Sequence, residues 1–456
     1  MLRNPTADRL PYRLFSILNL RRGEAGPMLA AALLCFLVLA ALMLLRPVRD
    51  ALGMAGGIES VRWLFAGTAL VTLSVNPVFG WLVSRLGRMQ IIGATYGFFA
   101  LGLAAFWILL TLAPDGVGER SGQVFFVWFS VLNLFATMVF WALLADCFTS
   151  DQARRLFAPV SAGGTLGAIF GPWLATRLAG PVGTPGLLLV AGAFLLLAIG
   201  IARLLQRLAP SALPLPGSAP AAIVAAADER IGGSAWAGVG AVFRSRYLAG
   251  ISGFVLLMSI VATFVYFTRL QMVAAASASL DERTAILGGL DMWTQVAVLV
   301  LQLALTGKLV ERFGLGVALA VLPAVTALGF VGLAFHGSFA VLVLLEAGNR
   351  AVQRGITRPA REALFTVVDR EDKYKAKALI DTFVYRAGDV AGAQLEGVLG
   401  KLGLAMGGLA GVVVPLALAW MALAAWLGRR GSRGAHKGSP GPGAVGNRLV
   451  STRRGS

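Results

Sequence analysis

The chain has 456 residues, 57% of them hydrophobic and only 14% charged, and its mean hydropathy is +0.77. Soluble domains carry nearer a quarter charged residues, so a chain this apolar uses lipid as part of its solvent. A net charge of +18 would suit a nucleic-acid binder, but the placement of that charge along the chain argues against such a partner.

The N-terminal segment, 1–26, is basic and short of apolar runs, and is expected to lie in the cytoplasm. The first apolar stretch, 27–45, lacks a small-residue cleavage site and reads as a retained anchor. It ends in Leu44-Leu-Arg-Pro-Val-Arg-Asp-Ala-Leu52, which has two readings. Either the helix stops and Arg46, Arg49 and Asp50 are interfacial charges, or it continues and carries Arg46 and Arg49 inward on one face at i, i+3. Further spans follow at 61–83, 91–112, 123–145, 156–179 and 185–205. Each is close to the roughly 20 residues that cross a bilayer as helix; barrel strands need only about half of that. In the fifth span, Gly163, Gly167 and Gly171 recur at every fourth residue, a smooth strip for the close approach of another helix, or a surface that slides during transport.

Residues 206–247, with Pro210, Pro214, Pro216 and Pro220, divide the apolar chain into two blocks and read as a central cytoplasmic linker. The second block, 248–427, gives spans at 248–270, 285–306, 315–333, 339–367, 376–400 and 404–427. The expectation is an all-α membrane protein of about twelve helices, built from an N-terminal bundle (27–205) and a C-terminal bundle. Residues 428–456, rich in Gly, Ser, Pro and Arg, are expected to form a disordered basic cytoplasmic tail. On this topology most of the 40 Lys and Arg fall on inside segments, with Arg350, Arg354 and Arg386 within spans. That is the positive-inside bias of an inner-membrane protein with both termini cytoplasmic.

The blocks read as repeats. Gly80-Trp-Leu-Val-Ser-Arg-Leu-Gly87 matches Gly307-Lys-Leu-Val-Glu-Arg-Phe-Gly314, and Ala162-Gly-Gly-Thr-Leu-Gly-Ala168 matches Ala387-Gly-Asp-Val-Ala-Gly-Ala393 at nearly the same offset. Paired halves with a site between them are a property of alternating-access transporters.

The charges inside the spans carry the chemistry. Glu346, Arg350, Arg354 and Arg358 fall at spacing four and form one stripe on the tenth helix. Facing lipid, each would cost about 2.5–3.5 kcal/mol, so the stripe must face a hydrated cavity or protein partners, as an internal ion-pair network also would. The eleventh helix supplies Asp381, Tyr385, Arg386, Asp389 and Glu396. Taking Arg46, Arg49, Arg350, Arg354, Arg358 and Arg386 against Asp50, Glu346, Asp381 and Asp389 leaves a positive surplus suited to a small anionic solute. Arginine is apt because its planar fork binds phosphate or carboxylate with two hydrogen bonds. Cys35 and Cys147 read as packing residues, and the sequence has no HExxH, zinc-type cluster or Walker motif, so no metal, other cofactor or enzymatic role is expected.

The loop from Gly80 to Arg88 resembles the one after helix two of the major facilitator superfamily, with Ser84 where Asp is usual. More specifically, the chain resembles the non-mitochondrial ATP/ADP translocases, the bacterial and plastid nucleotide exchangers and their short bacterial relatives. Three segments carry the likeness: Leu45-Arg-Pro-Val-Arg-Asp50; Phe140-Trp141 with Gln152-Ala-Arg-Arg-Leu-Phe157; and Arg361-Glu362, Asp369-Arg-Glu-Asp-Lys-Tyr-Lys-Ala-Lys-Ala-Leu-Ile-Asp381 and Arg386-Ala-Gly388. The resemblance implies a twelve-helix facilitator fold, nucleotide exchange, and an important cation at Arg49. The chain departs from it twice: the family's acid on helix four has no counterpart, Asn133 being the nearest polar residue, and its lysine on helix eleven falls on Asp389.

The resulting expectation is a secondary antiporter for an anionic solute, nucleotides first. Arg46, Arg49, Arg350, Arg354 and Arg386 would bind substrate, and Asp50, Glu346, Asp381 and Asp389 would hold the arginines or couple to protons. The alternatives are proton-coupled transport of another organic anion, or a non-transporting membrane sensor or assembly factor on the same fold. A membrane-embedded enzyme lacks a nucleophile–base constellation.

Overall fold

The computed structural model describes residues 21, 23–85, 88–112, 117–209, 237–304, 308–403 and 406–437. In chain order the helices are α1 (Ala25–Gly53), α2 (Ile58–Arg85), α3 (Arg88–Leu112), α4 (Val117–Cys147), α5 (Ser150–Leu208), α6 (Ala237–Arg244), α7 (Arg246–Ala276), α8 (Leu280–Ala304), α9 (Lys308–His336), α10 (Phe339–Val352), α11 (Arg358–Leu364), α12 (Arg370–Leu379), α13 (Tyr385–Lys401) and α14 (Met406–Lys437). Wide π turns, Gln353–Thr357 and Ile380–Val384, join α10 to α11 and α12 to α13.

Among the described residues nine helices are long and apolar enough to cross a membrane. One of them, the 59-residue α5, is two spans joined at Gly183, whose φ of 77° and ψ of 155° break the helix in a conformation that glycine adopts without strain. The two charged, π-interrupted segments 339–364 and 370–401 complete a set of twelve. This is an all-α membrane protein of two six-helix pseudo-repeats.

Several boundaries differ from the sequence reading. The first helix runs through the charges to Gly53 with Pro47 inside it, so of the two readings of that segment the continuous helix holds. The expected 206–247 linker is narrowed, because α5 reaches Leu208 and α6 lies within the stretch; 210–236 falls outside the described residues. Helix α14 continues to Lys437, ten residues into the expected disordered tail. Cations at a helix C-terminus are favourable against its dipole, and Arg430 lies over the Trp426 ring at 4.7 Å. Residues 438–456, and 86–87 and 305–307 of the paired glycine loops, lie outside the described residues.

The helices gather into two compact units. The first holds α1 to α5 together with Thr268–Val296, the end of α7 and most of α8. Its centre is the packing of α1 on α5. A Cβ at Gly163, Gly167 or Gly171 would come within 2.3–2.4 Å of the carbonyl oxygens of Ala32, Phe36 and Ala40. Only hydrogen fits there, so the glycine strip sets the separation of the two helices. Around α3 and α4 an aromatic cluster fills the rest of the core, with Phe106 edge-on to Phe125 and to Trp128.

The second unit takes α6, α7 up to Phe267, and the chain from Ala297 onward. It repeats the same device. A Cβ at Gly388 would lie 2.6 Å from Ser259 Cβ, and one at Gly392 would lie 3.0 Å from Ile260 Cα, so α13 is pressed onto α7.

Candidate substrate cavity and charge clusters

In the second unit the sequence forces the tenth and eleventh segments away from regular helix. Pro359 has no N–H and its ring crowds the carbonyl four residues back. The backbone answers with the wide turn just before it, in which the Arg358 N–H bonds to the Gln353 carbonyl. The second wide turn closes in the same way, Tyr385 N–H to Ile380 carbonyl. Such turns re-aim side chains, and both sets point into one space.

That space is a cavity of about 510 Å³. Gln353, Arg354 and Thr357 come from the first wide turn, Arg358 and Arg361 from α11, Asp381 from the second wide turn, Tyr385 and Arg386 from α13, and Met258 from α7. Four guanidinium groups thus meet a single carboxylate among the lining residues. Arg361 pairs with Asp381 at 3.2 Å, and Arg386 pairs with Asp389 at 3.2 Å. Arg358 makes no ion pair among the described residues. Thr357 is 1% exposed, and its hydroxyl finds no hydrogen-bond partner among the described residues. The Nε of Arg361 is likewise unpartnered. A buried polar atom without a partner costs about 1–3 kcal/mol. Met258 and the Tyr385 ring give the cavity an apolar wall as well.

Of the sequence-predicted residues, the cavity gathers Arg354, Asp381 and Arg386. Arg350 is not in the lining; it donates to Glu346 at 2.8 Å, one turn away on the same helix. Asp389 lies behind the wall, holding Arg386 and accepting from the Ser259 hydroxyl. Arg361 was not among the predicted ligands, although it continues the stripe of Arg354 and Arg358 at i+3.

The remaining predicted residues belong to the first unit. Arg49 donates its Nε to Asp50 at 2.8 Å, and its guanidinium lies over Phe126 and Phe129, 4.7 and 5.4 Å from the ring centres. Asp50 is fully buried. Arg46 is 3.7 Å from Asp291 Oδ1, which also accepts from Arg269 Nη1 at 2.9 Å. Arg269 is fully buried and reaches the Leu287 carbonyl at 3.2 Å. The sequence reading missed both Arg269 and Asp291. The available signal was Asp291 itself, a lone acid inside an apolar span, which demands a partner.

Where the helices begin, Arg155 grips the α1 N-cap residue Glu24 with two bonds, 3.0 Å and 2.9 Å, and Gln152 adds a third at 3.2 Å. Arg155 belongs to the Gln152–Phe157 motif, and its work here is to tie α5 to α1. The Arg155 guanidinium, helped by the Arg21 backbone N–H and by Gln152, holds the Glu24 carboxyl down at about 2.

Twelve spans in two glycine-paired units, with a cation-rich cavity in one of them, define an integral membrane transporter. The Major Facilitator Superfamily model matches residues 27–352, and the chain belongs to that family of secondary transporters. Its fold is similar to that of the nucleoside transporter NupG (14% identity, TM-score 0.61, covering 87% of this chain and 98% of that one). It is similar also to a bacterial homolog of the human lysosomal transporter Spinster in an inward-facing, unoccupied conformation (13% identity, TM-score 0.56, 93% and 100% covered). At such identities the likeness is one of fold alone. No curated protein sequence matches the chain at a significant level.

Proposed function

We propose that this transporter carries a small organic anion across the bacterial inner membrane, with nucleotides as the first candidates and exchange as the mode. The observation that supports this most is the four-to-one excess of arginine over carboxylate in the cavity, beside an unsatisfied Thr357 hydroxyl. Guanidinium groups gathered around one space repel one another, and an anion bound among them relieves that repulsion. The apolar wall of Met258 and Tyr385 suits an organic body attached to that charge. Alternate opening of the cavity to the two sides would then move the solute, and the basic inside segments would keep both termini in the cytoplasm. The resemblance to nucleotide exchangers is what puts nucleotides first among such anions.

The test is counterflow in proteoliposomes loaded with ATP, ADP, AMP, inorganic phosphate or citrate. Labelled solute should accumulate against one or more of these and fail to do so with Arg354→Gln/Arg358→Gln. Correctly inserted protein that moves none of them would sink the reading. A second reading, another organic anion moved together with a proton, is favoured by Asp389, an acid behind the cavity wall where the resembling exchangers have lysine.

A further inference from the structure

We propose that Arg386, Asp389 and Ser259 form a proton-coupling unit, in which anion binding and protonation of Asp389 are linked through the one guanidinium they share. This rests on the anion cavity and the proton-coupled reading of the preceding subsection and adds how anion and proton are linked.

Arg386 has two places to be. It lines the cavity, and it donates Nη1 to Asp389 Oδ2 behind the wall at 3.2 Å. Asp389 has no route of retreat, because Gly388 and Gly392 press its helix onto α7 at separations where a methyl group would not fit. The charged and titratable groups around it are few. Its own helix gives Arg386 and Tyr385, α11 gives Arg361 beyond Tyr385, and α7 gives the hydroxyl of Ser259. An anion that engages Arg386 in the cavity therefore competes directly with Asp389.

Ser259 is what makes both outcomes tolerable. Its fully buried Oγ lies within hydrogen-bonding reach of Asp389 Oδ1 and also, at 2.8 Å, of the Tyr385 carbonyl. One hydroxyl proton faces two acceptors. With Asp389 ionised, Ser259 donates to the carboxylate and Arg386 neutralises it. When an anion takes Arg386, the carboxylate becomes a buried charge without its cation, which is costly until it gains a proton from water. The new carboxylic acid then donates to Ser259 Oγ, and the serine proton turns to the Tyr385 carbonyl. The Ser259–Asp389 contact survives in both states, and only Asp389 Oδ2 gives up its partner, as a neutral oxygen and no longer as a charge. In the balance, one proton joins Asp389 for each anion that takes Arg386.

Infrared difference spectra over a pH titration of the full-length protein in liposomes test this, with Asp389→Asn assigning the carboxylic-acid band and AMP as the probe anion. The band should appear at higher pH with AMP than without it. It should appear at higher pH in Arg386→Gln with no anion present, return to the wild-type range in Arg386→Lys, and shift in frequency in Ser259→Ala. AMP affinity should rise by up to about tenfold per unit fall in pH across that range, beyond the slope seen in Asp389→Asn, which subtracts the titration of the AMP phosphate itself. An Asp389 band indifferent to Arg386→Gln, or equal AMP slopes with and without Asp389, would overturn the proposal. If AMP does not bind, the anion reading loses support, while the Arg386→Gln arm still decides the coupling unit.

Discussion

The two units use one scaffold and spend their charge differently. In the first, Gly163 and Gly167 seat α5 on α1; in the second, Gly388 and Gly392, at matching repeat positions, seat α13 on α7. One step further along the repeat the match fails. Gly171 meets the Ala40 carbonyl, whereas its counterpart Glu396 is a buried acid. The first unit's core charges pair with one another, Arg49 with Asp50 beneath two phenylalanines and Arg269 and Arg46 with Asp291. The second turns four arginines toward an open space. Duplicated packing thus frees one copy to hold the fold while the other specialises, because helix separation depends on a few small residues and cavity charge on different ones.

The sharpest way to break this comparison is at Asp291. If the first unit's charges are structural, Asp291→Ala strands the fully buried Arg269 and should lower stability by about 3–5 kcal/mol. The thermal midpoint of the purified protein checks it, and the double variant Asp291→Leu/Arg269→Met should regain most of the loss. Equal midpoints for wild type and Asp291→Ala would mean that the cluster is not load-carrying. The opposite pattern belongs to the second unit. Arg358→Gln should weaken the bound anion by about 1.5–3 kcal/mol, the worth of a hydrogen bond to a charged group, which is roughly 10–150-fold in affinity. Its thermal midpoint without solute should stay put, since Arg358 makes no ion pair among the described residues.

A smaller effect separates the two glycine seats. An alanine methyl at Gly167 would meet the Phe36 backbone carbonyl, which cannot turn aside; at Gly388 it would meet Ser259 Cβ and the Leu256 backbone carbonyl. Gly167→Ala should cost about 1–3 kcal/mol, measurable as a drop in thermal midpoint. Gly388→Ala should cost a similar amount in stability and, unlike Gly167→Ala, also disturb the Ser259–Asp389 contact.

How much of this was legible in the sequence follows from distance along the chain. The spans, the glycine strip and the arginine stripe are local patterns of length and period, and each can be read from a single helix. The Gly163/Gly388 correspondence was visible because repeats preserve spacing. What escaped was non-local or conformational. Arg269 and Asp291 sit on different helices and are joined only by the fold. Arg350 and Arg354 share a stripe, yet the wide turn at Gln353–Thr357 intervenes, sending Arg354 to the cavity and leaving Arg350 with Glu346. Helical periodicity assumes an unbroken helix, and Pro359 had signalled that this one is broken.

The smallest effect concerns the clamp between α1 and α5, which has no described counterpart in the second unit. Glu24 titrates near 2 in the folded chain, against an ordinary value of 4.5, because Arg155 and its neighbours favour the charged carboxylate. A lowered folded value means that the contribution is present in full above about pH 4.5 and is lost as pH falls toward 2. The pair lies at a helix end, where screening by solvent and salt keeps such contacts small. Glu24→Gln keeps the size and the hydrogen-bonding oxygen but removes the charge. Its thermal midpoint should therefore sit slightly below wild type at neutral pH, and the two should converge as the pH is lowered from 5 to 2. A gap that persists unchanged at acid pH would assign the clamp to packing alone.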